Sequence, residues 1–423
     1  MPSSPKLPKL PSTKELLAHP KVKSVIEQVS QSTVATRAAE FYEDLRSTVS
    51  EKASSFELPS LPSLAEQFAR RLLGDSESSG AAINATGMIV GGELAAPIPE
   101  AAVHAMLAAA GDYRRSGESL QTKLQKQVSA LAVAEDALIT SSRDSALYLT
   151  IASLATQGEL HVTESLQQSA HDWQRLASSC GAALRTREFA NSSVENVLTI
   201  GCSRLSNPTA KAETPGHYVE LASAAGFLNP SDFGYSAIPP LSNMITDGTD
   251  LVITAGNGLI GGPSCGIIAG GRALVERIRS HPLTKTLAAS ELDSLALKAT
   301  LDLYKSADEV PFTVPVWQLL STPVENLQLR AERLAQLINV QERVGHAVPR
   351  QIESAWMSEH GETLSASSWA IAVTPKNGDA AELAASLQKR STPVICRVDG
   401  SELLLDLRSV FPRWDQALVG AFV

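Results

Sequence analysis

The chain has 423 residues, enough for two or three domains with separate cores, and its 43% hydrophobic and 19% charged residues are those of an ordinary globular protein. A net charge of −9 argues against a nucleic-acid surface spread over the whole chain, while leaving room for a local basic patch. Four scattered cysteines without a CxxC pair argue against a disulfide frame or zinc site. No apolar run approaches the roughly 18 residues of a membrane span, and the opening MPSSPKLPKLPS lacks the apolar stretch of a secretory signal, so a cytoplasmic protein is expected.

The first dozen residues are rich in Pro, Ser and Lys and read as disordered. Ser12-Thr13-Lys14-Glu15 then sets up a helix start, with Leu16, Leu17, Val22, Val25, Ile26 and Val29 following at helical spacing. Further helical patterns cover about 34–49 and 63–73. Residues 1–80 therefore read as an N-terminal helical domain, closed by a Gly/Ser linker at 75–80.

From residue 81 the pattern changes. Helical segments at about 99–110, 120–133, 145–155 and 169–181 are interleaved with short apolar strands at 137–140, 197–200, 251–254 and 265–269. That alternation predicts a layered α/β domain with a largely parallel sheet, over 81–304. Helical segments follow at 271–279, along Leu292, Leu295, Leu297, Leu301 and Leu303, and at 324–337. A strand at 369–373, a helix at 379–390 and two strands joined by Asp399-Gly400 then predict a smaller α/β domain over 305–423, ending in a hairpin.

Residues 251–269 read LVITAGNGLIGGPSCGIIA, an apolar strand, a turn of small residues, Gly261-Gly262-Pro263 and a second apolar run. Six other segments belong with it: Leu10-Pro11-Ser12-Thr13-Lys14-Glu15-Leu16-Leu17, Ile83-Asn84-Ala85-Thr86-Gly87, His281-Pro282-Leu283-Thr284, Ala299-Thr300-Leu301 with Leu303-Tyr304, Val314 to Pro323, and Leu403 to Val410. In this order and spacing the set resembles the bacterial selenocysteine synthases (L-seryl-tRNA(Sec) selenium transferases). The resemblance implies a fold-type-I pyridoxal-phosphate transferase: a three-layer α/β sandwich with an N-terminal helical domain and a small C-terminal α/β domain. It implies conversion of seryl-tRNA(Sec) to selenocysteinyl-tRNA(Sec) with selenophosphate and pyridoxal phosphate. It also implies a homo-oligomer, a dimer or a ring of dimers, with the active site between subunits. Finally, it implies tRNA binding through the N-terminal domain, where Lys6, Lys9, Lys14, Lys21 and Lys23 either touch RNA or form a solvated tail.

The departures fall on the chemistry. The family's Ser-Gly-Asp-Lys becomes Ala255-Gly256-Asn257-Gly258, so the position of the Schiff-base lysine is a glycine. A His-Thr-Asn-Leu-Gly-Arg segment becomes Gly91-Gly92-Glu93-Leu94-Ala95-Ala96. A Gly-Glu-Arg-Gly-x-Arg loop becomes Gly117 to Thr122, and a basic pair after His-Pro-Leu-Thr becomes Ala288 and Glu291. Bound pyridoxal phosphate acts as an electron sink and needs an amine, a carboxylate at the pyridinium nitrogen and a phosphate cup. The candidate cup is Ser141-Ser142-Arg143-Asp144-Ser145, with Ser141, Ser142 and Ser145 as contacts; the other reading is a plain helix cap at Ser142 or Asp144. Glu220 stands where the family has Asp and is the candidate pyridinium partner, or else a strand-end Glu. Asn257, beside the lysine position, joins the candidate contacts. Lys285 and Lys211 are the substitute lysines to consider. The eight histidines show no paired metal-ligand spacing.

Two functions stay open at this point. One is a selenocysteine-synthase-like protein whose activity is lost or altered, serving as a binding or regulatory partner. The other is an active pyridoxal-phosphate enzyme on a small amino-acid substrate, using a different lysine.

Overall fold

The computed structural model describes residues 11–20, 22–23, 34, 37–43, 45–46, 61, 64–65, 68, 81–111, 113, 118–167, 169, 171–185, 196–202, 216–222, 224–235, 238–359, 362–390 and 392–422. They divide into two compact units, Met1–Ala82 and Ile83–Val423.

In the first unit, helix α1 (Thr13–Ala18) starts where the sequence places it. Ser12 Oγ accepts from Glu15 N, and the Glu15 carboxylate returns to Ser12 N at 2.8 Å, a reciprocal capping box. Leu16, Val22, Phe41, Leu64 and Phe68 share a small buried cluster. The expected helices beyond α1 are helical at the described positions between 34 and 68. Val25, Ile26 and Val29, Lys6, Lys9 and Lys21 lie outside the described residues.

The second unit carries two sheets. Its strands are β1 (Ile83–Ala85), β2 (Asp136–Thr140), β3 (Glu159–Val162), β4 (Ala183–Arg185), β5 (Val197–Gly201), β6 (His217–Leu221), β7 (Leu251–Ala255), β8 (Gly266–Gly270), β9 (Val344–Glu359), β10 (Glu362–Pro375), β11 (Val394–Asp399) and β12 (Glu402–Asp406). The seven-stranded sheet has the order β2-β8-β7-β6-β5-β3-β4, parallel except for β8, which runs against both neighbours. Its long helices are α2 (Glu100–Ala110), α3 (Glu118–Ala132), α4 (Arg143–Leu154), α5 (Arg272–Arg279) and α6 (Glu291–Leu303). Side chains alternate across each strand, so one face presents Leu198, Ile200, Val219, Leu221 and Ile253 to α4 and α5. The other presents Ile139, Val252, Ile267 and Ala269 to α3 and α6. This is the three-layer α/β sandwich expected from the alternating pattern.

The smaller sheet has the order β1-β11-β12-β10-β9. Helices α7 (Val324–Asn339) and α8 (Ala380–Gln388) bury Leu327, Leu334, Ile338, Leu383 and Leu387 with residues of this sheet. The β11–β12 hairpin turns at Asp399-Gly400, with Asp399 paired to Glu402. β1 pairs parallel to β11, Ile83 against Val394, which puts the Ile-Asn-Ala segment in the smaller sheet rather than with the seven-stranded one. The segment expected as one helix over 169–181 is instead a helix at Trp173–Ser179 preceded by a turn of helix at Glu164–Gln167. Asp172 separates them because its side chain accepts from Arg175 N and starts the second helix. No described helix is long and apolar enough to cross a membrane.

Candidate functional site

At the carboxyl end of β7 the chain makes the small-residue turn and returns through β8. The turn is fixed almost wholly through its backbone. Gly256 N donates to Cys265 O at 2.8 Å, Gly262 N to Gly256 O at 2.7 Å and Leu259 N to Ala224 O at 2.9 Å. The carbonyls of Leu259 and Ile260 accept from the buried Tyr304 hydroxyl at 3.1 and 2.9 Å, and Trp317 Nε1 adds a bond of 2.7 Å to Leu259 O. Burial holds the Tyr304 phenol above its usual range. Gly261 sits at φ +68° against Val314 and Val316, the close packing expected of the Gly-Gly-Pro element.

This turn forms one wall of a pocket of about 410 Å³. Ala255, Asn257, Gly258 and Ala224 line that wall; Arg143 at the start of α4, the strap from Ile89 to Ala96 and Ser358 complete the lining. The strap is latched to β9, since Ile89 N and Val90 N both donate to Trp356 O and Ser358 N donates to Val90 O. Among the described lining residues the charged side chains are Glu93 and Arg143, and no lysine is present.

Gly258, the position that the resemblance assigns to the lysine, is buried, and Asn257 beside it is exposed. A β-carbon built on Gly258 would lie 2.9 Å from Ala224 Cα, 3.0 Å from its oxygen and 3.1 Å from its carbonyl carbon. These are backbone atoms, so they cannot swing aside as a side chain would. The turn thus offers neither an amine nor the space for a side chain that would carry one.

The serine turn forms where expected, between β2 and α4. Ser142 is the N-cap and accepts from Ser145 N at 3.0 Å. The Ser145 hydroxyl lies 2.9 Å from those of both Ser141 and Ser142, so the three candidate phosphate contacts bond one another. Arg143 Nε and Nη2 donate to Asp144 Oδ1 at 2.9 and 2.7 Å. His171 beside Asp144, and then Arg143, hold that carboxyl well below its usual range against the opposing effect of partial burial. Of this turn only Arg143 is among the described pocket-lining residues. Ser141 N donates to Leu287 O and Thr140 bridges Ala288, so Ala288 falls directly beside the turn.

Glu220 lies near the end of β6, only 1% exposed, and is not among the described pocket-lining residues. Tyr218, two residues earlier on the same face, donates its hydroxyl to Glu220 Oε2 at 2.8 Å. Lys285 is exposed at the end of the short helix Pro282–Thr284 and is not among the described lining residues, while Lys211 lies outside the described residues. Cys265, beside the turn, is pushed up to about 12 by burial and offers no thiolate near neutral pH. The sequence reading missed Tyr218 and Ala224. Period-two alternation in β6 was a usable signal for Tyr218, whereas nothing local marks Ala224, which meets Gly258 only through the pairing of β6 with β7.

Comparison with known proteins follows the same line. Residues 209–411 match the family model described as SelA: L-seryl-tRNA selenium transferase. The L-seryl-tRNA(Sec) selenium transferase of Moorella thermoacetica is 28% identical over 99% of this chain and 96% of its own length. That of Hyphomonas neptunium is 27% identical over 98% and 97%. That of Serratia proteamaculans is 34% identical over a shorter stretch, 44% of this chain and 41% of its own. The chain is similar to the selenocysteine synthases along its whole length. A solved structure of D-glucosaminate-6-phosphate ammonia-lyase shares the fold, with a TM-score of 0.55 and 16% identity over 82% of this chain and 96% of that one. The architecture is that of the fold-type-I pyridoxal-phosphate transferases, and on it this selenocysteine-synthase-like chain places a pocket without a lysine in its described wall.

Proposed function

We propose that this chain belongs to the selenocysteine synthase family and has lost the family's lysine-based chemistry, so that it acts as a binding or regulatory member rather than as a selenium transferase. The observation that carries this reading is the contact of Gly258 with the Ala224 backbone. A simple lysine-to-glycine change would leave a gap where the side chain had been, and here the backbone of a neighbouring loop fills that space. The electrostatics support it. A selenium donor and a tRNA end are both anionic, yet Ala288 and Glu291 replace basic positions and the serine turn carries a charged Asp144. Pyridoxal phosphate, where it binds, is held without a covalent link. A homo-oligomer, as a dimer or a ring of dimers, and tRNA contact through the N-terminal unit belong to the same proposal.

The deciding experiment is to purify the protein with added pyridoxal phosphate and record its visible spectrum before and after borohydride, with peptide mass mapping. The expected result is no reducible imine band and loss of all cofactor on dialysis. A stable band mapped to one lysine would overturn the proposal and name the residue that does the chemistry.

A further inference from the structure

Open α/β sheets receive ligands at the carboxyl ends of their parallel strands. Here β5, β6 and β7 run parallel and end at Gly201, Leu221 and Ala255. Beyond β7 lies the pocket. On the face of the sheet, Tyr218, a residue 3% exposed, packs against Gly201, where an added β-carbon would overlap the phenol. The phenol therefore lies across the last residue of β5 and fits there only because that residue is glycine. From this position it donates to the buried Glu220. A carboxylate at the end of a central strand, in a sheet of this fold, is placed to accept from a ring N–H, and the chain supplies a donor of its own.

We propose that Tyr218 takes on Glu220 the hydrogen bond that the pyridinium N–H of a pyridoxal-type ring would otherwise make, so that the ring-nitrogen contact is satisfied from within the chain. This rests on the reading of Glu220 as the position of the pyridinium partner. It adds a second closed contact to the one at Gly258, through a different residue and a different force. There the obstacle is backbone overlap; here it is a donor and a ring already in place.

Pyridoxine 5′-phosphate tests this, because it has no aldehyde and cannot form an imine, so its binding reads ring and phosphate contacts whether or not a lysine is present. Borohydride trapping reads the lysine alone, and the two proposals therefore fail separately. Binding would be followed by equilibrium dialysis and thermal unfolding in the full-length protein, in Tyr218→Phe, which removes the donor, and in Tyr218→Val, which also removes the ring. The expected result is no saturable binding by the unaltered protein at about 1 mM ligand, with Tyr218→Val at least about tenfold tighter than it and Tyr218→Phe between them. Saturable binding by the unaltered protein, or folded variants that bind no better than it, would overturn the proposal. Should neither variant fold, Tyr218→Leu, which keeps apolar packing on the sheet without the donor, takes their place: binding at least about tenfold tighter than that of the unaltered protein supports the proposal, and no gain overturns it.

Discussion

Two turns meet at the pocket, and they are held together by different means. The turn after β7 is fixed by backbone hydrogen bonds and by Tyr304 and Trp317 clamped on its carbonyls, with little contribution from its own side chains. The turn before α4 is fixed by its own side chains, three hydroxyls bonded to one another and an Arg143–Asp144 pair beside His171. The first kind of turn can change its side chains and keep its shape, because backbone bonds and the Tyr304–Trp317 clamp hold it around Gly258. The second changes its chemistry with every substitution while the helix behind it still starts.

The contrast is sharpest at the clamp. Trp317→Ala removes a fully buried ring and the donor to Leu259 O and should cost about 3–5 kcal/mol in denaturant unfolding. A loss below about 1 kcal/mol would mean that the turn is not held from outside. Gly258→Lys comes next. Forced against the Ala224 backbone, it should destabilise by about 1–3 kcal/mol and yield no borohydride-reducible band with pyridoxal phosphate. A stable variant that forms the band would show that the space is recoverable and that one substitution separates this chain from covalent chemistry.

At the second turn the effects are smaller. Ser142→Ala removes the N-cap and should cost about 1 kcal/mol, whereas Ser141→Ala, at an exposed position, should stay within about 0.5 kcal/mol. Equal losses would show that the hydroxyl triad acts as a unit. The smallest effect is electrostatic. Asp144 has its folded pKa below its unfolded one, so its contribution is fully present above the ordinary carboxylate range and is lost as pH falls through that range towards the folded value. The side chain is 67% exposed, so solvent screens the pair. Stability curves of the unaltered protein and Asp144→Asn should therefore differ slightly at neutral pH and converge in acid. Curves that run parallel would remove Asp144 from the account.

Much of this was legible in the residues. Ser12 and Glu15 declare the first helix by their spacing, Asp399-Gly400 declares the hairpin, and the alternation of short apolar runs with helical segments declares a layered α/β sheet, because each of these is set by neighbours in sequence. The four-residue β3 gave too short a signal. In β9, Pro349 and a mixed run of polar and apolar residues obscured a strand whose pairing to β10 is supplied by its partner. That positions 258, 288 and 291 hold Gly, Ala and Glu was equally plain from the sequence. What the tertiary structure alone decided is which groups pack against Gly258 and Gly201. Ala224 reaches Gly258 because β6 and β7 pair side by side, and Tyr218 lies against Gly201 because β5 and β6 do. Residues some 17 to 34 positions apart become neighbours through sheet register, and no local pattern records which backbone or ring that register will bring against these two glycines.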